Sequence, residues 1–482
     1  MEDLKARTIR GGIANLIGQI AGMLLRLGTI IVLARFISPS EFGIVAMVTV
    51  LTGFLEIFAT GGLSQATVQR ADISRSQITA LFWVNILIGL LLAVLCLATA
   101  PLIAAFYNEP RTQNVMAVMA VLFVLNATGV QHLAILQRDL RYGVLARIEI
   151  ASQLIAAIIS IAIAFAGLGY WGVVASTVLG PLFITVGAWI ASEWRPGRPR
   201  LTAEVAELLR FGGTVTLNNI VVFIAYNLEK VLLGRNFGSE ALGLYSRAYQ
   251  FINLPTVSIG AAVGRVAFST LSRLQDDPVR FRRYFLKGYT LTLSITVPVT
   301  IACMVLADDI ILILLGPNWS AAAGIFRYLA PTILVFGIIN PLAWLMQSTG
   351  LHRRSLHVSL ALAPVVIAAY LLGIPYGPTG VAAAFSCAMV LWMIPHTLWC
   401  LHGTPVTAQD IAGAVKEIIL AGIAAAVAAA LAHRLVADFS SPYLRLALAG
   451  SALFAAYAAI LLIVLKRKDY YFDVVQGLRA GT

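Results

Sequence analysis

Eight charged side chains stand within or at the edges of long apolar runs: Arg26, Lys230, Arg247, Arg265 and Arg327, with Glu56, Glu149 and Glu229. A charge at the centre of a membrane helix costs at least about 2.5–3.5 kcal/mol, so such residues should face an internal cavity or a partner. Guanidinium and ammonium groups there can contact anionic oxygens without a metal. Spacing groups these residues further. Asn15, Gln19, Gly22 and Arg26 follow an i, i+4, i+7, i+11 pattern and form one polar helical stripe. Asn219, Phe223, Tyr226 and Lys230 follow the same pattern, displaced by about a turn from repeat register. Arg247 and Arg265 are eighteen residues apart, which puts them on one helix face about 27 Å apart, with Pro255 expected to kink the helix between them. The candidate cavity set is therefore Asn15, Gln19, Arg26, Glu56, Asn219, Tyr226, Lys230, Arg247 and Arg265, a ladder of cations suited to an anionic substrate. Arg327 and Glu149 lie near run ends, where snorkelling accounts for them. Glu229–Lys230 reads equally as an interfacial pair, Arg247 as interfacial, and Glu56 as the counter-ion of Arg26.

The elements that must position these groups are membrane helices. Of the 482 residues, 60% are hydrophobic and 12% charged, with a mean hydropathy of +0.88. Soluble domains carry about 25% charged residues. This composition excludes a soluble enzyme or a nucleic-acid binder, despite a net charge of +12. A bilayer core needs about 20 apolar residues per helix. Fourteen runs qualify: 11–34, 42–68, 78–106, 115–136, 145–167, 170–192, 209–233, 242–270, 287–307, 325–348, 355–374, 378–401, 412–435 and 445–465. With that alternation, 24 Lys and Arg fall on one side and 5 on the other, which places both termini in the cytoplasm. The basic loops offer a secondary use in binding anionic lipid headgroups.

A weak internal repeat organises the runs. Leu33-Ala34-Arg35 followed by Phe42-Gly43 matches Leu233-Gly234-Arg235 followed by Leu242-Gly243. Arg10-Gly11-Gly12 likewise resembles Arg210-Phe211-Gly212-Gly213. Parallel repeats with a substrate path between them are a transporter signature. The expected fold is all-α and polytopic, with two pseudo-symmetric six-helix bundles and two further helices. Its divisions are 1–192, a cytoplasmic linker at 193–208, a second bundle at 209–401, and 402–482 with a cytoplasmic tail. The apolar run after Arg10 is too long for a signal peptide. Cys96, Cys303, Cys387 and Cys400 lack metal-ligand spacing and read as core residues. Without a Gly-Lys dipeptide there is no Walker A loop. Asp276-Asp277 and Asp308-Asp309 read as solvated caps or turns, Trp171, Trp194 and Trp319 as interfacial anchors, and His132, His357 and His396 as packing groups. No cofactor is expected.

Several stretches together resemble the polysaccharide transporter family of the MOP superfamily (Wzx-type lipid-linked oligosaccharide flippases), in its colanic-acid and succinoglycan exporter-like branch. They are Leu33-Ala-Arg-Phe-Ile-Ser-Pro-Ser-Glu-Phe-Gly43, Gly62-Leu-Ser-Gln-Ala-Thr-Val-Gln-Arg70, Pro101-Leu-Ile-Ala-Ala-Phe-Tyr107, Leu232-Leu-Gly-Arg235, Ala241-Leu-Gly-Leu-Tyr-Ser-Arg-Ala-Tyr249 and Ser272-Arg-Leu-Gln-Asp-Asp-Pro278. Where such proteins often have Asp before the basic residue, this chain has Glu229-Lys230, which keeps the charges. The resemblance implies a V-shaped cavity lined by the first, second, seventh and eighth spans. It also implies a flippase for undecaprenyl-diphosphate-linked oligosaccharide in the bacterial inner membrane, working by alternating access. Glu56 and Glu229 are then candidates for ion coupling. Expected partners are the lipid-linked oligosaccharide, membrane lipids and the polysaccharide polymerase and chain-length machinery, with no nucleic acid. Alternatives are a multidrug exporter, which would call for an acidic lumen, and a lipid II flippase. An enzyme is set aside, because the longest exterior loop, roughly 308–324, is short and largely apolar.

Overall fold

The structure, a computed structural model, describes residues 2–59, 67–68, 73–198, 220, 223–437, 439 and 441–465; the side chains of 2–17, 261, 262, 265 and 266 lie outside it. Its helices are α1 Glu2–Phe36, α2 Pro39–Ala59, α3 Arg75–Tyr107, α4 Arg111–Met119, α5 Val121–Arg138, α6 Tyr142–Phe165, α7 Trp171–Ala191 and α8 Leu228–Arg273. They continue with α9 Pro278–Val305, α10 Ala307–Leu314, α11 Ala322–Leu329, α12 Pro331–Ser348, α13 His352–Gly373, α14 Gly377–Leu401, α15 Ala408–Leu435 and α16 Pro442–Ala459. Among the described residues, eleven stretches are long and apolar enough to cross a membrane. One of these, His352–Leu401, holds both α13 and α14, and α8 joins two helices across Gly238. This all-α, multi-pass architecture of about fourteen crossing helices is the one hydropathy predicts.

The helices outrun their apolar windows because polar caps extend them. Ser74 caps α3 in a reciprocal box with Gln77, and Asp277 caps α9 ahead of Pro278. The third and ninth spans thus begin at Arg75 and Pro278, earlier than the expected 78 and 287. In α8 the dihedrals leave the helical region at Gly238 (φ 78°), and Pro255 lies inside the helix beyond it. Only glycine adopts that conformation at no steric cost.

The chain divides into two compact units, Met1–Gly243 and Leu244–Thr482. In the first, α6 packs against both α1 and α7, and α5 packs against α3 and α7. Gly89 lets α3 approach α5, since a Cβ there would lie 2.7 Å from both the Ala127 Cβ and the Phe123 carbonyl oxygen. In the second unit, α9 buries Phe281, Phe285, Tyr289, Leu293 and Val297 at four-residue intervals. This stripe packs into a core with Leu342 and Leu345 of α12 and Ile418 and Ala425 of α15. Burying each large apolar side chain contributes about 1.5–3 kcal/mol relative to exposure in water.

Two expectations fail in the second unit. Asp309 is not a solvated cap: it is 1% exposed and accepts hydrogen bonds from Arg445 Nη2 at 2.6 Å and Nε at 2.9 Å. Those bonds tie α10 to α16, with His433 Nδ1 of α15 at 3.6 Å. Trp319 is fully buried rather than an interfacial anchor, because the short turn Pro317–Trp319 folds it inward ahead of α11.

Candidate functional site

Within the first unit, a polar cavity of about 350 Å³ is lined by residues of α2, α3, α5, α6 and α7, among them Glu56, Asn85, Asn126, Glu149 and Thr185. Arg26 Nη2 of α1 donates to Glu149 Oε1 at 3.2 Å, and Arg26 Nε donates to the Gly22 carbonyl at 3.3 Å. Gly22, one turn away on the same stripe, makes room for this pairing. A Cβ there would stand 3.0 Å from Glu149 Oε1. The partner of Arg26 is thus Glu149, across 123 residues, rather than Glu56. Glu149 does not simply snorkel at a helix end. Glu56 Oε1 accepts from Asn126 Nδ2 at 3.4 Å on another wall of the cavity. Asn85, 5% exposed, has an Nδ2 without a hydrogen-bond partner among the described residues. Two carboxylates and two carboxamides therefore meet around one space, and one of the carboxylates also holds the Arg26 guanidinium.

An apolar groove of about 410 Å³ lies alongside, lined by Met47, Leu51 and Phe54 of α2, Phe106 and Tyr107 of α3, and Phe223. Asn227 stands at its polar edge and accepts a hydrogen bond of 2.7 Å from Lys230 Nζ. The stripe Asn219, Phe223, Tyr226, Lys230 assumed an unbroken helix, but the chain turns at 226–227 and α8 starts at Leu228. Asn227 Nδ2 donates to the Phe223 carbonyl at 2.9 Å, the local side-chain bonding with which Asn competes against helix continuation. Tyr226 is half-buried in that turn, and Glu229 is fully buried at the start of α8.

The remaining positions are dispersed. Gln19 is exposed on α1. Arg247 lies in the second unit and donates to Gln250 Oε1 at 2.5 Å. Asn219 lies outside the described residues, as do the side chains of Asn15 and Arg265. Arg327 pairs with Asp308 at 2.5 Å.

Residue spacing gives no sign of one further contact. The repeat-equivalent corners 39–43 and 239–243 meet face to face. A Cβ on Gly43 would lie 1.7 Å from the Ser239 carbonyl oxygen, and one on Gly243 would lie 1.9 Å from the Pro39 carbonyl oxygen. Ser40 Oγ and Ser239 Oγ are 2.8 Å apart. Glu41 anchors the first corner: its Oε2 accepts from Ser38 N and Oγ, and its Oε1 accepts from Tyr170 N at 3.2 Å. The paired glycines of the repeat were the available signal.

Residues 32–324 match the family described as polysaccharide biosynthesis protein. The chain is 25% identical to the lipopolysaccharide biosynthesis protein WzxC of Escherichia coli (strain K12) over 351 residues, 72% of this chain and 70% of that one. It is 26% identical to the succinoglycan biosynthesis transport protein ExoT of Rhizobium meliloti (strain 1021) over 317 residues, 66% of this chain and 64% of that one. Among solved structures, the lipid II flippase MurJ in an inward closed conformation matches with a TM-score of 0.74 at 16% identity, over 95% of this chain and 100% of that one, a likeness of fold.

Proposed function

Because the chain belongs to the polysaccharide biosynthesis protein family, we propose that it is a flippase moving undecaprenyl-diphosphate-linked oligosaccharide units from the cytoplasmic to the periplasmic leaflet. It is a multi-pass membrane protein; the bacterial inner membrane, with both termini in the cytoplasm, is the orientation its basic loops favour. The polysaccharide polymerase and chain-length machinery would take the product on the far side.

One observation carries the mechanism: a guanidinium within a membrane helix, held by a carboxylate on the wall of a polar cavity. Such a pair stays in place until a better anion arrives. The substrate diphosphate takes the Arg26 donors from Glu149, because phosphate oxygens accept the guanidinium fork in bidentate fashion. Glu149, with Glu56 beside it in the cavity, is then free to take a proton or cation, which couples substrate entry to an ion gradient. Lys230, Arg247 and Arg265 are further candidate cations for the substrate, and Glu229 is a second coupling candidate. Asn15, Gln19, Asn219 and Tyr226 offer hydrogen bonds to the glycan. The apolar groove beside Lys230 suits the first isoprenoid units of the lipid, with the ammonium at the phosphate end. Contact of the 39–43 and 239–243 corners closes the periplasmic side, and its parting releases the product.

Leaflet-resolved quantification of lipid-linked oligosaccharide tests this reading. Deletion should leave complete units on the cytoplasmic leaflet, and Arg26→Ala and Arg265→Ala should reproduce that build-up with normal membrane insertion. An unchanged lipid-linked pool together with increased sensitivity to cationic toxins would overturn the reading in favour of drug export. Full transport in both variants would overturn the role given to these cations.

A further inference from the structure

After α7 the chain runs extended through 192–198 and crosses the start of α3. Trp83 Nε1 donates to the Gly197 carbonyl at 2.8 Å, Arg141 Nη1 to the Ala191 carbonyl at 3.0 Å, and Arg195 Nη1 to the Ser192 and Trp194 carbonyls at 2.6 and 2.8 Å. So pinned, the segment and α3 enclose a pocket of about 320 Å³ lined by Arg75, Ser76, Glu193, Trp194, Arg195 and Arg198. Three guanidinium groups thus face one carboxylate. Among the described residues, neither Arg75 nor Arg198 makes an ion pair or a side-chain hydrogen bond. The pocket rests on an aromatic floor. The Trp194 ring packs 5.8 Å from Phe82 and 5.1 Å from His132, and Arg195 stands 5.8 Å over Trp189. Further along α3, Trp83, Leu87, Leu90, Leu91 and Val94 are all exposed at helical spacing, a single apolar face descending from the pocket.

A pocket with excess positive charge above an outward apolar face has the two-part chemistry of an anionic phospholipid. We propose that this pocket binds the phosphate of an anionic membrane lipid, whose acyl chain lies along the exposed face of α3. Basic pockets at helix ends on the cytoplasmic side hold lipid phosphates through the same combination of charge and interfacial depth. Trp83 and Trp194 mark that depth. The site shares no residue with the polar cavity around Glu149, so it does not depend on the transport reading. Its consequence is regulatory: a bound lipid ties the 192–198 segment, which leads into the linker, to the bilayer surface.

The test uses the purified full chain in nanodiscs of phosphatidylcholine, with or without phosphatidylglycerol, and reads thermal midpoint and bound lipid by native mass spectrometry. Phosphatidylglycerol should be retained and should raise the midpoint. Arg75→Gln with Arg198→Gln should weaken its binding about thirtyfold, at about 1 kcal/mol per basic group near an anionic surface. The midpoint in phosphatidylcholine alone should not move, since neither side chain has a partner among the described residues. Arg198→Gln alone, with an expected loss of about fivefold, serves if the double variant folds poorly. Arg280→Gln with Arg283→Gln, elsewhere on the basic side, should retain full binding. Equal loss in that control would reduce the site to diffuse surface charge and overturn the proposal. Full retention by the pocket variants would overturn it too. A polyprenyl phosphate added to phosphatidylcholine distinguishes the other source of lipid phosphate: binding of that lipid but not of phosphatidylglycerol would assign the pocket to the substrate and overturn the phospholipid assignment.

Discussion

The contact between the two repeat-equivalent corners can be perturbed in opposite directions. Ser40 Oγ and Ser239 Oγ are 2.8 Å apart, so Ser40→Cys with Ser239→Cys brings two sulfurs close to the roughly 2.05 Å disulfide distance with only a small side-chain adjustment. Gly43→Ala acts the other way. Its Cβ would stand 1.7 Å from the Ser239 carbonyl oxygen, well inside ordinary contact, and the obstacle is backbone rather than a flexible side chain. Overpacking of this kind costs about 1–3 kcal/mol. A conformation with the corners apart escapes that cost, so its population relative to the closed form should rise by about 30-fold for a cost of about 2 kcal/mol. In vesicles, oxidation of the cysteine pair should stop translocation of the lipid-linked oligosaccharide, and reductant should restore it. Gly43→Ala should increase labelling of a cysteine at 239 by a membrane-impermeant thiol reagent. If quantitative cross-linking leaves translocation intact, the corners do not need to part and the gate is refuted. If Gly43→Ala lowers the thermal midpoint without increasing labelling, the contact is packing alone.

Three further outcomes follow from the ion pairs. Glu149→Gln should keep Arg26 in place but abolish the dependence of transport on an ion gradient, whereas Arg26→Ala should abolish transport at every gradient; a vesicle flux assay separates the two. Arg445→Ala leaves the Asp309 carboxylate buried with His433 as its remaining partner among the described residues, and should destabilise the chain by about 3–5 kcal/mol, read as a loss of thermal midpoint that Asp309→Asn in the same chain partly restores. In the turn between α3 and α4, Arg111 Nε and Nη2 each donate to Glu109 at 2.8 Å, and this hydrogen bonding holds the Glu109 carboxyl below its ordinary 4.5. A depressed carboxyl contributes stability above its ordinary value and loses it as pH falls through the depressed one. The midpoint difference between the natural chain and Glu109→Gln should therefore be constant near neutrality and shrink as pH falls below 4.5 through the depressed value, with a size within the roughly 1 kcal/mol of an exposed pair. A difference that did not shrink on acidification below pH 4.5 would refute the assignment.

Apolar runs made the crossing helices legible because bilayer thickness dictates their length, and each run needs no information from the rest of the chain. Arg26 was legible for a related reason: a charge in such a run demands a partner. Which partner is a tertiary fact. Glu149 lies near the start of its own helix, where snorkelling was the simpler account, and only the packing of α6 against α1 at Gly22 brings it to the guanidinium. Asp309 was misread on the same ground, since its run of neighbours resembles a loop until α16 delivers Arg445. The turn at 226–227 was hidden because periodicity detects faces, not the moment when an Asn side chain takes over a backbone bond. The glycines at 43 and 243 are the instructive case. Their repetition was visible, but a repeat in sequence states only that two places are alike. That the two like places touch each other, each needing the absence of a side chain on both, is what turns the repeat from an evolutionary mark into a candidate gate.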